Sequence, residues 1–383
     1  MRAKAALLFG AALFVTTSEC HAAGDPSDRI AAVVNQTIAP LMAKEHIPGM
    51  AVGIVVDGTP YAFTYGVASK QTMERVTPAT LFEIGSVSKT FNATLASYAQ
   101  LRGDLSFSQT VGTYLPALAG TPIGSATLIN LGTHTAGNFP MQVPDAADSD
   151  AELIDYLRTW HPNGSIGTYR VYSNIGIGTL GLITAKRMGQ DFAALEEQQL
   201  FPALGLTNTY VNVPPSRMSE YAQGYRSDGT PIRMVPGELW QETYGVRTCV
   251  TDLDRYMQAN MGLIQLDPTW EQALSQTHVG YFRAGVMTQD LIWEQYSYPV
   301  ALKTLLEGTA MIEKAVPVTA LQPPLQPQSA AWLNKTGSTN GFSTYIAFVP
   351  TKRVGIVMLA NKSYGLSERV TAAFQILSSL QRE

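Results

Sequence analysis

The chain has little cysteine and little charge for its length. Its 383 residues include two cysteines, Cys20 and Cys249, and charged residues make up 15% of the total, below the usual share of roughly one quarter. A disulfide framework is therefore excluded as the source of stability. A disordered chain is also excluded, because 45% of the residues are hydrophobic. The net charge of −4 argues against a nucleic-acid-binding protein, which would carry a basic surface.

Long apolar runs are also scarce, and the most distinctive one lies at the N-terminus. Two basic residues precede an apolar stretch at 5–15 that is too short to span a membrane, and small residues follow at Ala22 and Ala23. This pattern predicts a signal peptide over residues 1–23 and export of the chain, with a buried N-terminal helix as the less favoured interpretation. Cleavage there leaves Cys249 as the only cysteine of the mature chain. No other stretch is long and apolar enough to cross a bilayer.

Strand patterns dominate both ends of the chain, and helix patterns dominate its middle. At the N-terminal end, a helical pattern at 28–45 precedes two β-rich runs around Asp57-Gly58, which is a hairpin signal. The C-terminal end contains three strand patterns and a closing helix, at 330–338, 342–350, 353–361 and 367–381.

These patterns predict a two-part architecture of the α/β plus all-α type. An antiparallel β-sheet is built from both chain ends and flanked by helices, and a helical domain is inserted between them. The predicted sheet domain comprises 24–85 and 226–383, and the mainly helical domain comprises 86–225. We expect the active site in the cleft between the two, where ligand sites are common.

Ser86 begins the motif that carries most of the chemistry. The segment 87–102 is predicted to be a helix that ends at Gly103, and it has no charged face, which is typical of a buried helix. Lys89 is nevertheless in it, and burying an ammonium is costly unless it is paired or discharged. Because residues i and i+3 share a helix face, the Lys89 amine is predicted to reach the Ser86 hydroxyl and to act on its proton. A serine N-cap beside an unrelated lysine is the alternative for this motif alone.

Tyr172 and Asn174 form the second motif, which precedes a small-residue apolar run predicted to be another buried helix. A phenol between two ammonium groups has a lowered pKa and can relay protons near neutral pH. The Asn174 amide can donate to and accept from a substrate amide and Lys89. The same spacing recurs at Tyr210 and Asn212. We favour Tyr172 because the second copy lies in a turn-rich stretch.

The third motif, Lys335-Thr336-Gly337-Ser338, ends a predicted strand. Lys335 can attract a carboxylate, Thr336 can hydrogen-bond to it, and Gly337 lets a ligand approach the backbone closely. The backbone N–H of Ser338 could pair with that of Ser86 as an oxyanion hole. An ordinary strand end with a solvated lysine is the alternative for this tripeptide alone.

The three motifs occur in the order S-x-x-K, Y-x-N and K-T-G. Motifs of this kind in this order resemble those of the class C serine β-lactamases. The segments "IPGMAVGIVVDG", "HTAGNFPMQVPD", "YAQGY", "ETYGVRT" and "GIVMLANKSY" resemble that family as well. The resemblance covers essentially the whole mature chain and implies the β-lactamase/transpeptidase-like fold. It implies hydrolysis of β-lactam antibiotics, mainly cephalosporins, through a serine acyl-enzyme. It further implies a periplasmic monomer that acts on a small-molecule substrate and needs no cofactor or metal.

The resemblance also implies roles for individual residues. The implied catalytic residues are Ser86, Lys89, Tyr172 and Lys335, and the implied substrate-binding residues are Gln142, Asn174, Tyr244, Thr336, Gly337 and Ser338. The roles of Gln142 and Tyr244 are inferred from the resemblance alone. The family often has an asparagine where this chain has Leu366, so we expect altered binding of the substrate carboxylate, with Arg369 as a substitute contact.

Three other functions remain open at this point. A D,D-peptidase shares the serine, lysine and tyrosine but stays acylated by penicillin, whereas an esterase of the same fold usually lacks K-T-G. A catalytically inactive binding protein is the third alternative. The sequence contains no G-x-S-x-G, which argues against an α/β-hydrolase triad. The five histidines are scattered, and none is spaced as a zinc-ligand pair.

Overall fold

The computed structural model describes residues 26–312 and 314–381 of the chain. The predicted signal peptide at 1–23 lies outside these residues. The α-helices of the described part are α1 Pro26–Glu45, α2 Ser88–Arg102, α3 Val111–Tyr114, α4 Leu128–Gly132, α5 Asp150–Thr159, α6 Asn174–Met188, α7 Phe192–Leu195, α8 Phe201–Leu204, α9 Trp240–Thr243, α10 Val250–Asn260, α11 Pro268–Gln276, α12 Leu302–Thr309 and α13 Leu366–Leu380. No helix among the described residues has the length and apolar character that a bilayer crossing requires.

Strands occur throughout the described part of the chain, and most of the long ones lie towards its two ends. They are β1 Gly49–Val56, β2 Thr59–Gly66, β3 Phe82–Glu83, β4 Tyr169–Arg170, β5 Thr209–Tyr210, β6 Gly224–Tyr225, β7 Pro231–Ile232, β8 Arg247–Thr248, β9 Gly280–Ala284, β10 Met287–Asp290, β11 Glu294–Ser297, β12 Val316–Leu325, β13 Ala331–Ser338, β14 Ser343–Val349 and β15 Val354–Ala360.

Ten of these strands form one antiparallel sheet in the order β2-β1-β15-β14-β13-β11-β10-β9-β12-β4. The two chain ends meet where β1 pairs with β15. The hairpin between β1 and β2 turns at Asp57 and Gly58, which both have positive φ, as a type I′ turn requires. A large sheet built from both chain ends and flanked by helices confirms the predicted fold class.

Helices cover both faces of this sheet, and the strands are therefore buried on both sides. Along β1, Met50, Val52 and Ile54 pack into one core, and Ala51 and Val55 pack into the other. α1 and α13 close the first face, and α10 packs on the second, against β1 and β15. Because both faces are apolar, β13, β14 and β15 read as nearly continuous buried runs rather than as alternating strands.

Five strands of the sheet were not predicted, namely β4 and β9 to β12. Residues 280–325 contain β9 to β12, and no strand was predicted in this stretch. β12 carries prolines at 317, 323 and 324, which favour an edge position or argue against a strand. It is tolerated here because it lies next to the two-residue edge strand β4. The boundaries proposed for the two domains stay a prediction.

A third core belongs to the helical region and brings the catalytic helices together. It is built largely from α2, α4 and α6, and its buried side chains include Ala96, Leu131 and Leu180. α2 packs directly against α6, and its other side packs against α11. α2 begins shortly after Ser86, and α6 begins at Asn174, so this packing places two of the predicted motifs beside the end of β13.

Candidate active site

Ser86 lies in a tight turn between β3 and α2. The 3-10 turn Gly85–Val87 leads into the helix, and Gly85 has a φ of +51°. A side chain at Gly85 would place its Cβ 2.4 Å from the carbonyl oxygen of Ser338. Only glycine allows both this conformation and this approach. The turn therefore holds Ser86 against the end of β13, as the third motif requires.

Lys89 is fully buried, and its ammonium is held by two hydrogen bonds. Its Nζ donates to Ser86 Oγ at 2.9 Å and to the carbonyl oxygen of Thr243 at 2.9 Å. The first contact is the one predicted from the i, i+3 spacing. Burial lowers the pKa of Lys89 to about 8; the Tyr172 phenol opposes this effect, and the Lys335 ammonium adds to it. A lysine with this pKa can exchange a proton with Ser86 near neutral pH.

Tyr172 lies between the two lysines, as predicted. Its ring centroid is 5.5 Å from Lys89 Nζ and 4.9 Å from Lys335 Nζ. The side chain is buried, and its hydroxyl is not committed to a fixed hydrogen bond within the described residues. Burial alone would raise the pKa of Tyr172. The ammonium groups of Lys335 and Lys89, together with the polar contact to Ser86, outweigh it and lower the pKa to about 8.

Two further side chains pack against Tyr172, and sequence reasoning missed both. The imidazole of His134 lies 4.3 Å from the Tyr172 ring, and its Nδ1 accepts the backbone N–H of Ser173. The guanidinium of Arg170 lies 5.7 Å from the same ring. Burial, with the nearby cations, holds the pKa of His134 well below its usual range, so the ring is neutral. Neither residue belongs to a spaced motif, although Arg170 precedes Tyr172 by two residues in a short strand.

Asn174 and Gln142 form a pair at the mouth of the site. Asn174 Nδ2 donates to Gln142 Oε1 at 2.7 Å, and the Asn174 backbone N–H donates to Met141. We expected Asn174 to hydrogen-bond Lys89 as well, but the hydrogen bonds of the Lys89 ammonium go to Ser86 and Thr243. The Asn174 Oδ1 atom is buried without a partner among the described residues. One buried amide acceptor of the site is therefore left without a hydrogen bond.

The K-T-G motif lies at the end of β13, on the opposite wall. Lys335 is buried, and its Nζ donates to the carbonyl oxygen of Thr336 at 2.9 Å. A Cβ at Gly337 would lie 2.0 Å from the carbonyl oxygen of Ile84. Gly337 and Gly85 thus allow the backbone before Ser86 and the end of β13 to touch. The Lys335 ammonium is buried behind the cavity surface, 4.9 Å from the centroid of the Tyr172 ring.

These elements surround a cavity of about 360 Å³. Eight of the ten predicted site residues line it: Ser86, Gln142, Tyr172, Asn174, Tyr244, Thr336, Gly337 and Ser338. Lys89 and Lys335 lie just outside the lining and reach Ser86 and Tyr172 from below. Sequence reasoning missed other lining residues, namely Met141, Met234, Val235, Ile312, Thr339 and Asn340. Thr339 and Asn340 directly follow the third motif, and their position could have identified them.

Leu366 and Arg369 are placed by the start of α13. Leu366 lines the cavity, so an apolar side chain occupies this part of the wall. Arg369 is 2% exposed, and its guanidinium donates to the Gly337 carbonyl oxygen and to Ser338 Oγ at 2.9 Å. Arg369 therefore supports the backbone of β13 instead of lining the cavity. A substitute contact to a carboxylate would require it to leave these partners.

No group of three or more His, Cys, Asp or Glu side chains in the described ranges is arranged to hold a metal ion. The free Cys249 is buried, and burial raises the pKa of its thiol to about 12, so it is a poor nucleophile at neutral pH. The arrangement around Ser86 therefore offers the best-organised nucleophile: a hydroxyl, a buried amine, a phenol of lowered pKa and a concave binding surface.

Comparisons with known proteins agree with this geometry. A family model described as Beta-lactamase matches residues 34–381. A beta-lactamase from Lysobacter lactamgenus is 47% identical over 350 residues, which are 91% of this chain and 91% of that protein. The solved structure of a D-alanine carboxypeptidase AmpC from Burkholderia cenocepacia is 58% identical, with a TM-score of 0.89 over 92% of this chain and 99% of that one. A class C beta-lactamase in complex with cefoxitin is 48% identical, with a TM-score of 0.91 over 92% and 99% of the two chains.

Proposed function

The chain belongs to the beta-lactamase family, and we propose that it is a class C serine β-lactamase that hydrolyses β-lactam antibiotics, mainly cephalosporins, with Ser86 as the nucleophile. The observation that carries the assignment of Ser86 is its 2.9 Å hydrogen bond to the buried amine of Lys89, on the lining of a cavity large enough for a small molecule. A serine hydroxyl needs such a base to become nucleophilic.

Acylation begins when Ser86 Oγ attacks the lactam carbonyl. Lys89 and Tyr172 take up the Ser86 proton as one coupled unit, because their pKa values are both lowered to about 8 and their charges interact. Opening of the ring breaks the C–N bond, and the same unit delivers the proton to the lactam nitrogen. The Lys335 ammonium supports this step from beneath, since it favours the phenolate form of Tyr172.

The developing oxyanion requires donors close to the attacked carbonyl. We assign the backbone N–H groups of Ser86 and Ser338 to this role. The support for this assignment is the close approach of the two segments, where Gly85 would clash with Ser338 and Gly337 with Ile84 if either carried a side chain. Both donors belong to backbone that is fixed by secondary structure, so they are pre-organised.

Substrate recognition is assigned to the two walls of the cavity. Asn174 and Gln142, which line the cavity and are hydrogen-bonded to each other, bind the amide side chain of the substrate. Thr336 and the positive field of Lys335 bind the carboxylate, and Tyr244 forms an aromatic wall. Leu366 stands where the family often has an asparagine, so the substrate carboxylate lacks that polar contact. Its binding therefore depends more strongly on Thr336.

Deacylation completes the cycle. A water molecule attacks the acyl-enzyme, Tyr172 accepts its proton with the substrate amine assisting, and the proton returns to Ser86 as the ester bond breaks. The oxyanion donors serve this second step as they serve the first. Export to the periplasm and action as a monomer belong to the same proposal.

A D,D-carboxypeptidase is the second candidate, because a relative of solved structure with 58% identity carries that name. Both activities share acylation of the serine and differ in the fate of the acyl-enzyme. Purified protein mixed with a chromogenic cephalosporin distinguishes them. Sustained ring opening over many equivalents of substrate supports the β-lactamase. A single stoichiometric burst, with the label trapped on Ser86, supports the peptidase, and failure to acylate at all overturns both.

A further inference from the structure

A second cavity of about 490 Å³ is lined mainly by residues of α5, α6 and α9 and by the segments next to them. Carboxyl groups from Asp150, Asp191, Glu238 and Glu242 line it. Lys186 is the one basic side chain among the described residues of its lining, and its Nζ lies 3.6 Å from an Asp150 carboxylate oxygen. Four carboxyl groups against one lysine leave this cavity strongly acidic, although neither the fold nor the proposed reaction requires it to be so.

Glu242 distinguishes the cavity from an ordinary acidic surface. It is 9% exposed, it lines the cavity, and within the described residues its carboxyl group is hydrogen-bonded to its own backbone N–H and pairs with no basic side chain. A Cβ at Gly181 would lie 2.6 Å from Glu242 Cγ, so the glycine of α6 makes room for this side chain. Burial raises the pKa of Glu242 to about 8, and the charges of Glu238 and Asp150 act in the same direction. A buried carboxyl group is thus kept without a counter-ion.

The arrangement of the carboxyl groups favours an organic cation over a metal ion. A divalent metal needs several oxygens around one point, and the described residues contain no such convergent group. The acidic groups are spread around the cavity, and apolar side chains lie between them: Leu182, Ala185, Phe192, Leu239 and Trp240. A chain of methylene groups with separated ammonium groups matches both the charged and the apolar parts of this lining.

We propose that this cavity binds a linear polyamine, with one ammonium group hydrogen-bonded to the Glu242 carboxylate and the others paired with carboxylates at the rim. The site is separate from the cavity at Ser86, and the proposal does not depend on the proposed function. The two regions adjoin through the backbone, because Thr243, which follows Glu242, accepts the hydrogen bond of the Lys89 ammonium.

Calorimetric titration of the purified protein with spermidine tests the proposal. We expect saturable binding with one molecule per chain, and a loss of affinity as salt is added. At about pH 8.5, above the raised pKa of Glu242, Glu242→Gln keeps the size of the side chain but removes the carboxylate charge, and it is expected to weaken spermidine binding by at least about tenfold. The matched control is Glu307→Gln, which removes the same charge from an exposed position on α12 that does not line the cavity. This control is expected to bind like the parent.

Three results would overturn the proposal: no saturable heat up to about 10 mM spermidine, equal weakening in the two variants, or tighter binding of Mg²⁺ than of spermidine at the same cavity. Equal weakening would mean that only net charge attracts the polyamine. Thermal unfolding of each variant shows whether it is folded. If Glu242→Gln does not fold, Glu238→Gln at the half-buried rim replaces it, with the same expected direction.

Discussion

Two oxygen atoms hold the buried ammonium of Lys89 in a helix whose one other charged residue, Arg102, lies at its C-terminal end. Ser86 Oγ and the Thr243 carbonyl oxygen replace the water that this group loses on folding. Only the first partner could be predicted, because the i, i+3 spacing is visible in the sequence. The second is a backbone atom 154 residues away, and a backbone carbonyl carries no sequence signal.

Ser86→Ala is expected to abolish turnover of a chromogenic cephalosporin, since no other serine or threonine hydroxyl in the described part of the chain is hydrogen-bonded to the Lys89 amine. The loss should be at least about 10⁴-fold in kcat. The fold should survive, because the change removes one partly exposed oxygen. Steady-state kinetics and thermal unfolding check both points. Activity within tenfold of the parent would contradict the assignment of Ser86 as the nucleophile.

Lys335→Met is expected to move the pH profile of kcat/KM to higher pH. The Lys335 ammonium is the strongest nearby charge that lowers the pKa of Tyr172 to about 8. Deprotonation of the coupled Lys89 and Tyr172 unit should produce a rising limb near that pH. Without Lys335, the phenolate is less favoured, and the midpoint should rise by roughly one unit.

The exposed Lys303→Met serves as the control for net charge in this experiment, because Lys303 lies on α12 outside the cavity. The midpoint of the profile is the readout, since Lys335→Met should also reduce the height of the profile through weaker carboxylate binding. A midpoint that stays in place while the height falls would leave Lys335 with a binding role only.

Leu366→Asn is expected to improve the binding of substrates that carry the carboxylate. Leu366 lines the cavity at the start of α13, and an amide there adds a hydrogen-bond donor. We expect KM to fall by about fivefold for a cephalosporin and to stay unchanged for its carboxylate ester. Leu366→Ala is the matched variant that changes shape without adding polarity. Equal effects of the two variants would point to shape instead of hydrogen bonding.

At the scale of secondary structure, the sequence predicted the elements with strong local signals. α2 begins one residue after the predicted start and ends at Gly103 in the left-handed conformation, and the hairpin of β1 and β2 turns at Asp57-Gly58 as expected. The strands β9 to β12 escaped prediction because they are short or interrupted by proline, and pairing with neighbours across the sheet specifies them. Met234 and Ile312 escaped for the same reason, since long-range packing brings them to the cavity.

A buried ion pair joins the edge strand β4 to the middle of the sheet. Arg170 Nη2 lies 3.0 Å from Glu294 Oε1, and both side chains are 1% exposed. Arg170 Nε also donates to Gln289, and Glu294 Oε2 accepts from Asn334 Nδ2. The pair fixes the strand that precedes Tyr172 against β10 and β11, so the position of the tyrosine depends on it.

Arg170→Met is expected to lower the free energy of unfolding by about 3–5 kcal/mol, because it leaves the Glu294 carboxylate buried without a counter-charge. The double variant Arg170→Met, Glu294→Gln removes that charge and should recover part of the loss, since the amide oxygen of the new side chain can still accept from Asn334. Urea unfolding of the two single variants and the double variant measures the coupling. Losses that simply add would show that the pair does not couple.

At the scale of the whole molecule, the protein buries several carboxyl groups that have no ionic partner. Asp254, Asp290 and Glu196 each contain buried carboxyl oxygens without a hydrogen bond in the described part of the chain. Burial raises the pKa of each group well above its usual range. The folded protein therefore favours the protonated form of each of these groups more strongly than the unfolded chain does.

Asp254 allows this protonation to be tested in isolation. Its side chain is 2% exposed on α10, and its Oδ1 would lie 1.9 Å from a Cβ at Gly53, which therefore has to be glycine. The pKa in the folded state exceeds the unfolded value of about 3.9, so the folded protein binds the extra proton between the two values. The contribution of Asp254 to stability is full below the unfolded value and is lost as the pH rises towards the folded one.

Asp254→Asn cannot ionise, and we expect it to remove this pH dependence. The difference in unfolding free energy between variant and parent should shift in favour of the variant from about pH 5 to about pH 8, by at most about 1.4 kcal/mol per pH unit. Urea unfolding of both proteins across this pH range measures the difference in unfolding free energy. The contributions of all other titrating groups cancel, because both proteins contain them. Asp145→Asn, at an exposed position, is the matched control. Parallel curves for Asp254→Asn and the parent would mean that Asp254 is already ionised in the folded state, and that its charge is stabilised by interactions other than those seen around Gly53.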